Sequence, residues 1–145
     1  MKSEIINSVK LEFDAISSNE AFARQAVSSF AASLDPTIEE IKDLRVIVSE
    51  AVTNCVVHAY RSKPGKIYIH ALITSDRRIK IRIKDKGCGI EDIEKCMEPL
   101  YTTDQSGERG GMGFAIMQAF SDKFKVRSKV GRGTVLSFEV KFSDT

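Results

Sequence analysis

A strict alternation of apolar and basic residues over positions 79–85 places the strongest constraint on how this chain can fold. Isoleucine occupies positions 79, 81 and 83, and the residues between them are Lys80, Arg82 and Lys84. Because neighbouring side chains of a strand point to opposite faces of a sheet, this pattern predicts a strand with one buried and one solvated face. Helices must therefore cover the isoleucine side of the sheet.

The rest of the chain alternates between strand and helix patterns. Period-two alternation predicts further strands at about 9–13, 67–73, 124–128 and 134–142. Apolar residues at helical spacing predict helices at about 21–31, 37–60, 90–98 and 112–120, and Ser17-x-x-Glu20 and Thr37-x-x-Glu40 have the form of capping boxes. We expect an α+β fold, a two-layer α/β sandwich whose mostly antiparallel, mixed sheet is covered by helices on one face. At 145 residues, the chain is expected to form one domain over residues 1–145.

Composition and cysteine content indicate a cytoplasmic protein. The chain is 42% hydrophobic and 29% charged with a net charge of +2, which is ordinary for a globular domain. No apolar run approaches the ~20 residues needed to cross a membrane, and the N-terminus lacks the apolar core of a signal peptide. Cys55, Cys88 and Cys96 are odd in number and have no C-x-x-C spacing, so we expect reduced thiols.

Two polar residues are predicted to point into the buried side of the sheet. Asp85 continues the isoleucine face of its strand, and Thr134 shares a face with Leu136, Phe138 and Val140. An ionised carboxylate there needs a donor, which an adenine amino group could supply, with the Thr134 hydroxyl as support. Alternatively, Asp85 caps a turn or the helix near Ile90, and Thr134 bonds to backbone.

A carboxylate and a carboxamide lie one helical turn apart in the second helix. Glu50 and Asn54 have the E-x-x-x-N spacing that places both side chains on one helix face, at the border of its apolar stripe. An amide oxygen suits Mg²⁺, and a carboxylate can accept a proton from a hydroxyl. A solvated helix edge is the alternative for such a pair taken alone.

Three glycine motifs follow this pair at junctions between predicted elements. Asp85-x-Gly87-x-Gly89 ends a strand, Gly110-Gly111-Met112-Gly113 opens a helix whose N–H groups could receive phosphates, and Gly131-Arg132-Gly133 joins two strands. In this order, the four motifs resemble the N, G1, G2 and G3 boxes of the GHKL ATP-binding superfamily, which has the Bergerat fold. The chain more narrowly resembles the bacterial anti-sigma serine kinases, in the segments Asn19–Arg24, Leu34–Thr37, Val48–Asn54, Glu98–Thr103 and Glu108–Phe114.

The resemblance implies a role for individual residues of this chain. Glu50 matches the general base, Asn54 the Mg²⁺ ligand and Asp85 the adenine-binding aspartate. Residues implied to bind ATP further are Gly87, Gly89, Thr102, Thr103, Gly111, Met112, Gly113 and Thr134. Arg109 would reach the terminal phosphate from the ATP lid, and Arg24 matches an arginine of the partner surface.

The resemblance also implies partners and an activity. Such a protein binds ATP or ADP with Mg²⁺, forms a homodimer, and binds a sporulation sigma factor to keep it from RNA polymerase. It also phosphorylates a serine of an anti-anti-sigma factor. A membrane is not an expected partner. A nucleic acid is not an expected direct partner either, because the basic outer face of the sheet has only Tyr68 as a stacking aromatic.

Other functions within this superfamily need features that this chain lacks, or do not require features that it has. A histidine kinase of the superfamily needs a helical domain with an acceptor histidine, and a gyrase-like ATPase needs further domains. A nucleotide-gated binding protein without catalysis would not require Glu50. His58-Ala59-Tyr60 departs from the usual His-Gly-Tyr, and Gly110 replaces a usual serine.

Overall fold

The computed structural model describes residues 3–93 and 113–144 of the chain. Five strands and three α-helices make up this part of the protein. In chain order they are β1 (Ile5–Asp14), α1 (Asn19–Ala31), α2 (Ile38–Asn54), β2 (Lys66–Thr74), β3 (Arg78–Asp85), α3 (Gly113–Phe120), β4 (Lys123–Lys129) and β5 (Gly133–Lys141). Most of the helix expected at 90–98 lies outside the described residues.

The strands form one sheet in the order β1-β2-β3-β5-β4. All four pairings among them are antiparallel, so the expectation of a mixed sheet was wrong for the described strands. Short turns join β2 to β3 and β4 to β5, and such hairpins pair neighbouring strands in antiparallel fashion. The two-layer α+β architecture is confirmed.

The first helix begins later than its expected capping box. Ser18 occupies the N-cap position with helical dihedral angles and makes no side-chain cap bond. Asn19 instead donates its side-chain amide to the Asp14 carbonyl at 2.8 Å, and Glu20 pairs with Arg24 at 3.3 Å rather than reaching back. The Ser17–Glu20 capping box was therefore wrong, because the helix starts one residue later, at the N-cap Ser18, and Glu20 pairs with Arg24.

The second helix begins as expected, at a complete capping box. The Thr37 hydroxyl accepts the Glu40 backbone N–H at 3.1 Å, and the Glu40 carboxylate accepts the Thr37 N–H at 2.9 Å. The second Glu40 carboxylate oxygen accepts the Ser143 N–H at 2.7 Å, which ties the C-terminal segment to this helix start. The site residues of α2 therefore lie on a helix anchored at its first turn.

The core lies between α2 and the inner face of the sheet. The α2 residues that are buried are Leu44, Ile47, Val48, Ala51 and Val52. They face the alternating isoleucines of β2 and β3, namely Ile67, Ile69, Ile73, Ile79, Ile81 and Ile83. This packing confirms that the isoleucine face of residues 79–85 is the helix-covered one, and it fixes α2 over the strand that ends at Asp85.

The second helix changes its geometry immediately after Asn54. Residues Cys55–Ala59 form a π-helical turn, in which the Tyr60 N–H bonds to the Cys55 carbonyl at 2.9 Å. A continuous α-helix to Tyr60 was expected, and that expectation was wrong. A π-turn shifts the side chains that follow it relative to an α-helix and is frequent at functional sites. It brings the Tyr60 hydroxyl to the Lys86 N–H, at 2.7 Å.

None of the helices within the described ranges is both long enough and apolar enough to cross a membrane.

Candidate functional site

Asp85 lies at the inner end of β3 and is only 5% exposed. Its Oδ1 accepts the Gly87 N–H at 2.9 Å, which is an Asx-type turn, and its Oδ2 lies 3.6 Å from the Cys55 thiol sulfur. The turn alternative is therefore realised through Gly87. The inward orientation predicted from the strand phase is also confirmed. The Asp85 carboxylate therefore already accepts hydrogen bonds from two protein groups, the Gly87 N–H and the Cys55 thiol.

Burial controls the ionisation of this pair. Desolvation raises the pKa of the Asp85 carboxyl, although hydrogen bonds from Gly87, Cys55 and Thr134 act in the opposite direction. Desolvation and the neighbouring Asp85 charge also raise the pKa of the Cys55 thiol well above its ordinary value. Cys55 therefore stays protonated and donates to Asp85. Sequence reasoning missed this contact, since it depends on how the end of α2 packs against the end of β3.

Thr134 is buried opposite Asp85, as the strand phase predicted. The two residues are Cα partners between β3 and β5. The Thr134 hydroxyl lies 2.8 Å from the Ser128 hydroxyl, which accepts the Ile90 N–H at 2.7 Å and donates to the Gly133 carbonyl at 3.0 Å. Thr134 therefore supports Asp85 through the register of the strands, and its hydroxyl is directed to Ser128. No sequence pattern pointed to Ser128.

Two glycines allow backbone segments to meet beside Asp85. A Cβ on Gly87 would collide with the Ala59 backbone at the end of the π-turn. A Cβ on Gly133 would collide with the backbone of Asp85 and Lys86, and its φ of 124° is one that side-chain-bearing residues rarely adopt. Both sites require glycine because of close backbone contact. Gly89 lies in the same segment, against the Lys129 backbone.

Glu50, Asn54 and Gly113 come together at the opposite end of the site. Glu50 and Asn54 lie on the last turn of α2, and Gly113 is the first residue of α3. A Cβ built on Gly113 would lie 3.1 Å from Glu50 Oε2 and 3.4 Å from Asn54 Nδ2. The structure thus brings together residues 59 positions apart in the sequence, at the start of a helix whose N–H groups favour anions.

The chemistry of these residues fits a nucleotide with Mg²⁺. Within residues 3–93 and 113–144, the buried Asn54 Nδ2 has no hydrogen-bond partner, so this donor suits an acceptor such as a phosphate oxygen. The oxygen of the same carboxamide is a hard ligand of the kind that Mg²⁺ prefers. The lack of a side chain on Gly113 lets the start of α3 lie close to the Glu50 and Asn54 side chains. Thr102, Thr103, Arg109, Gly111 and Met112, the other expected site residues, lie outside the described residues.

Arg24 lies on α1, away from the nucleotide site residues. Its guanidinium pairs with Glu20 at 3.3 Å, and about a third of its side chain is exposed. Its buried Nε has no hydrogen-bond partner within the described part of the chain. Phe22 on the same helix is 50% exposed. Phe22 and Arg24 are two positions apart and project from different sides of α1, and the expected partner contact of Arg24 stays a prediction.

Comparison with known proteins shows the family to which the chain belongs. Residues 15–140 match the model of the histidine kinase-like ATPase domain. The anti-sigma F factor of Caldanaerobacter subterraneus subsp. tengcongensis is 53% identical over 133 residues, which cover 92% of each chain. The chain belongs to the anti-sigma F factor family. The anti-sigma F factor of Clostridium acetobutylicum is 51% identical over 94% of this chain and 95% of its own.

Solved structures show the same fold at low sequence identity. A mycobacterial sensor histidine kinase, MprB, superimposes with a TM-score of 0.58 at 13% identity, over 94% of this chain and all of its own. The histidine kinase domain of the Erythrobacter litoralis blue-light kinase gives 0.56 at 18% identity, and this chain spans 60% of it. ShkA, which was solved in complex with AMPPNP, gives 0.58 at 19% identity, and this chain spans 32% of it. These structures share the fold of this chain, and its match to the histidine kinase-like ATPase domain implies nucleotide binding.

Proposed function

We propose that this protein binds and inhibits a sporulation sigma factor of the sigma-F type and, as a serine kinase, phosphorylates the anti-anti-sigma factor that releases it. The observation that carries the kinase proposal is the meeting of Glu50, Asn54 and Gly113. The family supports the anti-sigma part, because relatives about half identical over nearly the whole chain are anti-sigma F factors. The protein would act in the cytoplasm as a single domain over residues 1–145.

Each residue of the site has a proposed task in binding. Asp85 would accept the adenine amino group on its buried carboxylate, which Gly87 and Cys55 already orient. Gly87 and Gly89 would let the backbone approach the flat base, and Thr134 would hold the β5 side. Asn54 would hold Mg²⁺, which supplies neutralisation of phosphate charge when bound.

The transfer step is assigned to the α2–α3 end of the site. A serine hydroxyl of the substrate would give its proton to Glu50 while its oxygen bonds to the γ-phosphorus and the bond to ADP breaks. Gly113 and the preceding Gly111 and Met112 would place amide groups near the phosphates, and Thr102, Thr103 and Arg109 complete the proposed set. Positioning and charge stabilisation account for most of the catalysis in such transfers.

Partner binding is proposed for α1 and for the free edge of the sheet. Arg24 and the exposed Phe22 lie on one helix beside β1, and they would contact the partner proteins. Among the described strands, β1 pairs only with β2, and Ile5 and Ile6 are 62% and 58% exposed. An exposed apolar edge of this kind favours the proposed homodimer.

The test is a transfer assay with γ-labelled ATP, Mg²⁺ and a candidate anti-anti-sigma protein. Glu50→Gln should lower acid-stable labelling of the partner by ~10²–10⁴-fold and leave ATP affinity largely unchanged. Glu39→Gln is a matched control, since it removes the same charge from the exposed first turn of α2. Labelling of the partner by Glu50→Gln at the wild-type rate would refute the assignment of Glu50 as the general base.

A nucleotide-gated sigma-binding protein without catalysis is the second candidate. It would capture a sigma factor only with nucleotide bound and leave the anti-anti-sigma protein unlabelled. That outcome would retain the binding role of Asp85 and Asn54 and remove the enzyme from the proposal.

A further inference from the structure

The face of the sheet that the helices leave uncovered is strongly basic over three strands. A row here is an outward residue of β5 together with its paired neighbours on β3 and β4. In the rows of Val135, Ser137 and Glu139, all the β3 and β4 residues are Lys or Arg, and Glu139 is the one outward carboxylate on β5. The exposed cations of this face are Lys80, Arg82, Lys84, Lys123, Lys125, Arg127 and Lys129. The whole chain has a net charge of only +2, so its positive charge is concentrated on this face.

One row of this face shows how a carboxylate is held. Glu139 on the central strand β5 lies between Lys80 of β3 and Lys123 of β4, with Nζ to carboxylate distances of 3.5 and 3.6 Å. Arg78 adds a third contact at 3.3 Å, and the glutamate is only 7% exposed. A carboxylate on β5 is thus surrounded by cations from both neighbouring strands.

The next two rows repeat the cations without the carboxylate. Arg82 and Lys125 flank Ser137, and Lys84 and Arg127 flank Val135. None of these four cations forms an ion pair within the described residues. Cations on β3 and β4 are about 9.5 Å apart across β5, and successive rows are about 6.7 Å apart. Alternate carboxylates of an extended peptide have the same ~6.7 Å spacing.

We propose that this face, the outer surface of β3, β5 and β4, binds an extended acidic protein segment. Alternate Asp or Glu side chains of that segment would lie between the cations that flank Ser137 and Val135, just as Glu139 lies between Lys80 and Lys123. A groove of about 580 Å³ lies at the Glu139 and Ser137 rows of this surface, and its lining includes Lys80, Arg82, Lys123, Lys125, His70 and Leu72. The inference is independent of the nucleotide site and of the proposed kinase activity.

A protein segment fits this face better than a nucleic acid does. Tyr68 is the one Phe, Tyr or Trp that points outward from the described strands, and Lys86 covers its ring at 5.1 Å. A sheet that reads single strands needs several free aromatic rings for stacking. The basic area also ends at β1, where Glu12 and Asp14 reverse the charge.

The test is fluorescence anisotropy with a fluorescein-labelled peptide of alternating Glu and Ser. A peptide with Gln in place of Glu and an oligo-dT strand of similar length are the comparison probes. We expect the Glu peptide to bind at about 0.05 M NaCl and to weaken at about 0.3 M, as surface charges become screened. The Gln peptide should not bind, and oligo-dT should bind more weakly than the Glu peptide.

Variants locate the binding on the sheet. Arg82→Gln with Lys125→Gln should weaken peptide binding roughly fivefold, as expected for the loss of two surface charge contacts. Lys42→Gln with Lys63→Gln removes the same charge from exposed positions outside this face and should retain wild-type affinity. All four positions are exposed, so the thermal midpoints should not change. Absence of peptide binding, equal losses in both double variants, or tighter binding of oligo-dT would overturn the proposal.

Discussion

Substitution of Gly113 by alanine tests whether the meeting of α2 and α3 controls the transfer reaction. The added Cβ would lie 3.1 Å from Glu50 Oε2 and 3.4 Å from Asn54 Nδ2, whereas ordinary contacts are at 3.4–4 Å. Glu50 must therefore move by a few tenths of an ångström, which its flexible side chain can do at little cost. Helical alanine is more stable than glycine by up to ~1 kcal/mol, so we expect the variant to be at least as stable as the wild type.

The reaction should be more sensitive than the stability. A displacement of about 1 Å can lower a rate by ~10²-fold, so a shift of a few tenths of an ångström should lower phosphate transfer roughly three- to tenfold. The assay is single-turnover labelling of the anti-anti-sigma protein at saturating ATP, with ATP affinity and urea unfolding measured on the same preparation.

The double variant with Glu50→Gln separates this mechanism from a general disturbance. If Gly113→Ala acts by moving Glu50, it should have little further effect on transfer once Glu50 is glutamine. Independent, multiplying losses in the double variant would refute the reasoning. So would an unchanged rate in Gly113→Ala, or a loss of stability of the same size as the loss of rate.

Two other substitutions address the adenine end of the site and the anchoring of α2. Asp85→Asn should abolish nucleotide binding, measured by calorimetry, without unfolding the protein. Because burial raises the pKa of Asp85, the wild type should lose stability as pH rises from the ordinary aspartate range through that raised pKa. The thermal midpoint of Asp85→Asn should lack this pH dependence. An identical pH profile of the midpoints in both proteins would contradict the account of a buried charge. Thr37→Ala should lower the free energy of unfolding by ~1 kcal/mol, whereas Thr37→Ser retains the hydroxyl and should lose much less in urea titration; equal losses would mean that the cap bond is not the cause.

The two capping sequences show where local sequence reasoning succeeds. Thr37 and Glu40 bond to each other as predicted, and Glu40 accepts the Ser143 N–H on its second carboxylate oxygen without breaking the box. Ser17 and Glu20 have the same spacing, but Glu20 pairs with Arg24 instead. A motif of four residues cannot report on such competitors, so both boxes were indistinguishable in sequence.

The inward position of Asp85 and Thr134 followed from the sequence, because a strand period of two fixes the face of every residue once the isoleucines are buried. The pairing of Glu50 with Asn54 followed in the same way from the helical period. The tertiary structure alone decided that Gly113 lies against that pair, that Cys55 contacts the Asp85 carboxylate, and that Ser128 bonds to the Thr134 hydroxyl. These contacts join residues that are 6 to 63 positions apart, and they depend on how elements pack, which no local periodicity encodes.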